Sequence, residues 1–137
     1  MSRRIGLLFC DGGARGNPGP AACGAVLYDP EGAVLDQHGQ YLGRATNNVA
    51  EYRGVLLGLD LARRHDLQHV HLRLDSELVV RQLTGQYRVR HPDLIPLWEE
   101  VKQQLRAFAG WDIQHVPREQ NAAADRLVNE ALDRLAG

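Results

Sequence analysis

At 137 residues, 44% of them hydrophobic, the chain suits one domain spanning residues 1–137, with a core large enough to need no staples. Sixteen basic against 17 acidic residues leave a net charge of −1, which excludes a global field that gathers nucleic acid, although all but one of the basic side chains are Arg, the type better suited to bidentate phosphate contacts. Cys10 and Cys23 are the only cysteines, too few for a disulfide framework or a structural zinc site; with no signal peptide or long apolar stretch in view, the expected setting is a reducing cytoplasm without membrane contact.

Residues 5–11 alternate, with Ile5, Leu7, Phe9 and Asp11 in phase, and predict a strand whose last in-phase residue is an acid. The Gly-rich loop that follows invites comparison with phosphate-cradling loops, and it fits neither familiar kind. A P-loop needs Lys followed by Ser or Thr at the helix start, whereas Gly19 is followed by Pro20, and the G-x-G-x-x-G spacing fails from Gly12 and Gly13 alike. A nucleotide-binding enzyme is therefore disfavoured. Residues 22–28 and 34–42 read as two more strands joined by the turn Asp29-Pro30-Glu31-Gly32. A long helix over 47–64 follows, then a strand over 69–74 with Val70, Leu72 and Leu74 in phase. A short helix over 76–83 ends near Gly85, and Pro92 and Pro96 bracket the start of another that runs to about residue 109. A strand over 111–116 and a helix over 122–135 complete the order βββαβααβα, with no repeat or linker.

Four acids occupy suggestive places. On the first helix, Arg53, Asp60 and Arg64 fall within about 40° of one another and mark the water side. The opposite stripe is Glu51, Val55, Gly58 and Ala62, so a carboxylate opens the face that should be buried. Taken singly, each acid has an ordinary alternative. Asn48 and Glu51 have capping-box spacing, Asp75 stands where a helix N-cap would, and Asp125 flanks the apolar arc of the last helix. Together they read differently, because Asp11 and Asp75 both end strands, where sites form in α/β sheets. Four carboxylates converging there would repel one another and shift upward in pKa unless divalent cations neutralise them. Oxygen ligands without thiolates suit Mg²⁺ or Mn²⁺, and such a cluster is the usual protein part of a two-metal phosphodiesterase.

DGGARGNPGP at 11–20, TNNVAE at 46–51, DSELV at 75–79 and HVPREQNAAAD at 115–125 resemble the four motifs of ribonuclease H type 1, in order and across essentially the whole chain. The resemblance implies an α/β ribonuclease H-like fold, a mixed five-stranded sheet flanked by helices. It implies that Asp11, Glu51, Asp75 and Asp125 bind metal and that the RNA strand of an RNA–DNA hybrid is hydrolysed with two Mg²⁺ ions, leaving 5′-phosphate and 3′-hydroxyl ends. It further implies that Gly12, Gly13 and Asn17 touch the RNA backbone and its 2′-OH groups, and that Thr46, Asn47 and Asn48 contact the minor groove and a DNA phosphate. No obligate protein partner is expected, and the chain is expected to act as a monomer.

Three departures stand beside the resemblance. Glu77 occupies the place of a frequent Gln. A basic, Trp-containing helix found in many members is replaced by residues 86–92, with Arg88, Arg90 and His91 as a modest substitute. The mobile His of the family has two candidates for its place: His115, reached without a gap but in phase with Trp111 and Ile113 and so expected to point into the core, and Arg118, just after Pro117. Arg118 is preferred, as an electrostatic aid to product departure, since Arg cannot shuttle protons at neutral pH. The rival functions are a catalytically silent nucleic-acid-binding module and a DNA nuclease or resolvase of the same superfamily.

Overall fold

The alternation that opens the chain builds the centre of a sheet. In a computed structural model describing residues 4–136, the strands are β1 (Ile5–Ala14), β2 (Gly19–Tyr28), β3 (Val34–Ala45), β4 (His69–Leu74) and β5 (Gly110–His115). The helices are α1 (Asn47–Arg64), α2 (Glu77–Leu83), α3 (Ile95–Leu105) and α4 (Ala122–Ala136), and a 3-10 turn, Arg118–Asn121, leads into α4. The strand order is β3-β2-β1-β4-β5. The meander β1–β2–β3 is antiparallel, and β4 and β5 add in parallel on the other side of β1. The expected order of elements and the mixed five-stranded sheet are both present.

As the central strand, β1 is covered on both faces. Leu8 and Cys10 are buried in the main core with Val55, Leu59 and Ala62 of α1, Val70, Leu72 and Leu74 of β4, and the inner sides of α2 and α3. The alternate set Ile5, Leu7 and Phe9 is only half-buried. On that side α4 packs Val128, Ala131 and Leu132 over Ala22. Among the described residues, no helix is long and apolar enough to cross a membrane.

Two features of β1 position the site. The strand does not stop at Asp11: its ladder with β2 continues through Asp11–Gly24, Gly12–Cys23, Gly13–Ala22 and Ala14–Ala21. The glycines expected to open a loop thus lie in the strand, and the reason is the helix above them. A Cβ on Gly12 would collide with the Ala50 carbonyl, and one on Gly54 with the Asp11 carbonyl. The backbones of β1 and α1 therefore touch, with a glycine on each side of the contact. Glu51 rides on that helix beside Asp11.

At the far edge, β5 corrects one expectation. Of Trp111, Ile113 and His115, only Ile113 is buried; His115 is exposed, and Trp111 lies 38% exposed with the Lys102 ammonium 5.8 Å from its ring. On an edge strand, alternation alone does not bring every in-phase side chain under a helix.

Candidate active site

Helices α1 and α2 are capped by Thr46 and Ser76, and not by Asn48 or Asp75. Thr46 caps α1, its Oγ1 accepting from the Val49 amide at 3.2 Å, so Asn48 and Glu51 form no capping box. Ser76 caps α2, its Oγ accepting from the Val79 amide at 3.3 Å, so Asp75 is not the cap. The ordinary alternatives for Glu51 and Asp75 fall away together, and both carboxylates are left to the cleft.

The side chains of Asp11, Glu51 and Asp75 each offer an oxygen lying within 4.8 Å of those of the other two. Asp125 joins them from α4, close enough for its carboxyl to raise that of Asp11. With Arg118, these four acids line a cleft of about 500 Å³. Burial, followed by the charge of Asp75, pushes the Asp11 carboxyl up from 3.8 to about 8, against the stabilising Gly12 amide. Burial, followed by Asp11 and Asp75, pushes Glu51 up from 4.5 to about 9, and only Arg118 pulls it back. A set of hard oxygen donors so crowded that two resist ionisation without a cation fits Mg²⁺ or Mn²⁺, which take carboxylates, and not a thiolate-seeking ion.

The substrate-binding candidates divide. Gly12, Gly13 and Asn47 line the cleft; Asn17, Thr46 and Asn48 are not among its lining residues. Asn47 ties the loop after β1 to the start of α1: its Oδ1 accepts from the Ala14 amide at 2.8 Å, while its own amide donates to Asn17 Oδ1 at 3.1 Å. Thr46 is engaged as the cap, and the absent side chain at Gly12 is accounted for by Ala50. Arg15, also on the cleft, is held by Asp133 of α4 at 2.5 Å. Of the two candidates for the mobile group, Arg118 is exposed on the cleft and His115 is not among its lining residues. Glu77 is paired with Arg81 at 2.6 Å, and the Arg81 guanidinium sits 5.2 Å from the Tyr87 ring centroid.

Two asparagines escaped sequence reasoning. Asn121 is buried and its amide reaches Asp75; Asn129, one turn after Asp125, donates to that residue's carbonyl and carboxylate at 3.2 and 3.3 Å. The i,i+4 spacing of Asp125 and Asn129 was the available signal for the second. For Asn121 there was none, since a lone Asn before a helix reads as a surface cap.

A family model described as reverse transcriptase-like matches residues 9–131. The chain is 46% identical over 131 residues to the bifunctional protein Rv2228c of Mycobacterium tuberculosis, covering 95% of this chain and 36% of that one. It is 45% identical over 125 residues to ribonuclease HI of Halobacterium salinarum, covering 91% and 63%. It thus spans about a third of the first relative's length and under two thirds of the second's. Among solved structures, LC11-RNase H1 in complex with an RNA/DNA hybrid superposes with a TM-score of 0.91 at 41% identity, covering 96% of this chain and 99% of that chain.

Proposed function

The chain belongs to the ribonuclease H type 1 family, and from that premise we propose that it hydrolyses the RNA strand of RNA–DNA hybrids with two divalent ions, Mg²⁺ with Mn²⁺ as a substitute, leaving 5′-phosphate and 3′-hydroxyl ends. The observation that carries this reading is the cluster of Asp11, Glu51 and Asp75, gathered within 4.8 Å with two of its members pushed up to about 8 and 9. Asp11, Glu51 and Asp75 would hold one ion, and Asp11 with Asp125 the other. Asp11 would contribute to both, since its carboxyl is raised by Asp75 on one side and by Asp125 on the other. Two bound ions supply an activated water and neutralise the charge that builds on the phosphate during in-line displacement.

The remaining roles belong to the protein. Arg118 keeps its charge throughout and stands on the cleft beside the acids, where it steadies the scissile phosphate and draws the product away. Gly13, which lines the cleft and where even a Cβ would meet nothing nearer than a Val128 methyl at 3.8 Å, admits a nucleic-acid backbone, and Asn47 and Asn17 hold the loop that borders it. Contacts to 2′-OH groups separate the hybrid from duplex DNA without reading sequence. The acidic set disfavours a silent binding module, for which burying carboxyls that resist ionisation would serve no purpose.

The test is a cleavage assay on end-labelled RNA–DNA, RNA–RNA and DNA–DNA duplexes with Mg²⁺ or with EDTA. The expected result is cleavage of the hybrid's RNA strand that stops in EDTA. Undiminished cleavage in EDTA, or retention of the hybrid in a gel shift with no cleavage under any divalent ion, would overturn the reading.

A further inference from the structure

Asn121 is the last residue of the 3-10 turn and is 1% exposed, one of few buried polar side chains among the described residues. Its Nδ2 donates to the Cys10 carbonyl at 2.9 Å and to Asp75 Oδ2 at 3.3 Å. Both neighbours are acceptors, so the amide can face them only with its NH₂ group. The other end, Oδ1, is buried and has no partner. A buried acceptor left unpaired is costly, and an apolar residue of similar size would avoid that cost. What Asn121 supplies in return is a link between two elements of the site. The Cys10 carbonyl belongs to the residue that precedes Asp11, and Asp75 follows the last residue of β4. One amide thereby ties the backbone that carries Asp11 to the carboxylate of Asp75.

We infer that Asn121 is a positioning residue for the metal site: its amide occupies Asp75 Oδ2 and leaves Oδ1 as the oxygen offered to the ion. The inference rests on the metal-dependent reading above. It differs from the ordinary role of a buried side chain in what it predicts for the ion. A purely structural Asn121 would affect stability alone, whereas a positioning Asn121 sets the affinity for Mg²⁺, as partners of metal ligands do.

Calorimetric titration of metal-free protein with Mg²⁺, together with the Mg²⁺ dependence of hybrid cleavage and the melting temperature, distinguishes the two. Asn121→Ala is expected to weaken Mg²⁺ binding by roughly 10–100-fold. It should move the activation curve to higher Mg²⁺ by the same factor, with most of the turnover recovered at saturating ion. In an Asp75→Asn background the same substitution should change Mg²⁺ affinity no further. Asn121→Ser, too short to span both acceptors, serves if the alanine variant does not fold. In the wild-type protein, the Asn121 side-chain amide resonance should shift when Mg²⁺ is added. Mg²⁺ affinity and activation unchanged in a folded Asn121 variant, whatever its melting temperature, or an amide resonance indifferent to Mg²⁺, would overturn the inference while leaving wild-type cleavage of hybrids intact. A wild type that neither binds Mg²⁺ nor cleaves would overturn the functional reading and this inference with it.

Discussion

One acid on β5, Asp112, and the cluster of acids at the ends of β1 and β4 are treated in opposite ways by the protein. Asp112 on β5 pairs in register with His71 of β4; its carboxylate lies 2.9 Å from Arg73 Nη1 and 3.0 Å from His71 Nδ1. Burial works against its charge, but hydrogen bonds from Arg73 and His71 outweigh it and hold the carboxyl below 3.8. Asp11, Glu51 and Asp75 have only the Gly12 amide, the charge of Arg118 and the neutral amide of Asn121 to set against burial and one another, and two of them are pushed up instead. One cluster is complete as folded. The other gathers more carboxyls than the chain compensates, so that two of them hold their protons far above the usual carboxylate range, the mark expected of a site built for a ligand of opposite charge.

The largest effect should come from breaking the uncompensated cluster. Asp11→Asn and Asp75→Asn are each expected to lower hybrid cleavage by more than about 100-fold, the upper end for loss of an outer hydrogen-bond partner. Removing one of several crowded like charges should leave the metal-free melting temperature unchanged or higher. Cleavage within a few fold of wild type would refute the assignment. Arg118→Ala comes next, with an expected loss of turnover on the order of tenfold, the worth of one hydrogen bond to a charged group. It should weaken hybrid binding less and leave thermal stability nearly unchanged. His115→Ala, exposed and off the cleft, should change neither; the reverse pattern in steady-state kinetics would return the role to His115.

The contrast also has a pH signature. In the folded, metal-free protein Asp11 and Glu51 titrate at about 8 and 9, against 3.8 and 4.5 when unperturbed. Between those limits the fold retains protons that the unfolded chain has released, so stability is fully present below about 4 and is lost as pH rises through 8 to 9. Thermal melts in EDTA should therefore fall between pH 5 and pH 9, by roughly 4 °C for each kcal/mol lost at this chain length. Mg²⁺ should restore the alkaline values, and Asp11→Asn should flatten the curve. A metal-free melting temperature that rises over the same interval would contradict the shifts. The smallest effect belongs to the compensated group. Asp112→Asn should cost no more than about 1 kcal/mol in a denaturant melt, since the pair is half exposed, and should leave cleavage unaltered.

Most of the site could be read from the sequence because its chemistry depends on residue type at fixed strand and helix ends: Asp11, Glu51, Asp75, Asp125 and Arg118 meet at one cleft. What escaped notice was local. In TNN and DS, several good capping residues stand side by side, and only the backbone decides that Thr46 and Ser76 take the role. The extension of β1 through Gly12 and Gly13 was hidden because glycine signals a loop unless one knows that α1 lies against it. His115 was misplaced because alternation says nothing about whether a helix covers the edge of a sheet. Asn121 was invisible because its partners, Cys10 of β1 and Asp75 just after β4, lie more than 40 residues away in sequence.

The measurement that tests the account most directly is anomalous diffraction from crystals of the metal-free protein soaked in Mn²⁺. An anomalous peak bounded by the carboxylates of Asp11, Glu51 and Asp75, with no peak at Asp112, is the predicted result. An empty cluster at millimolar Mn²⁺, or an ion bound beside Asp112 in its place, would contradict it.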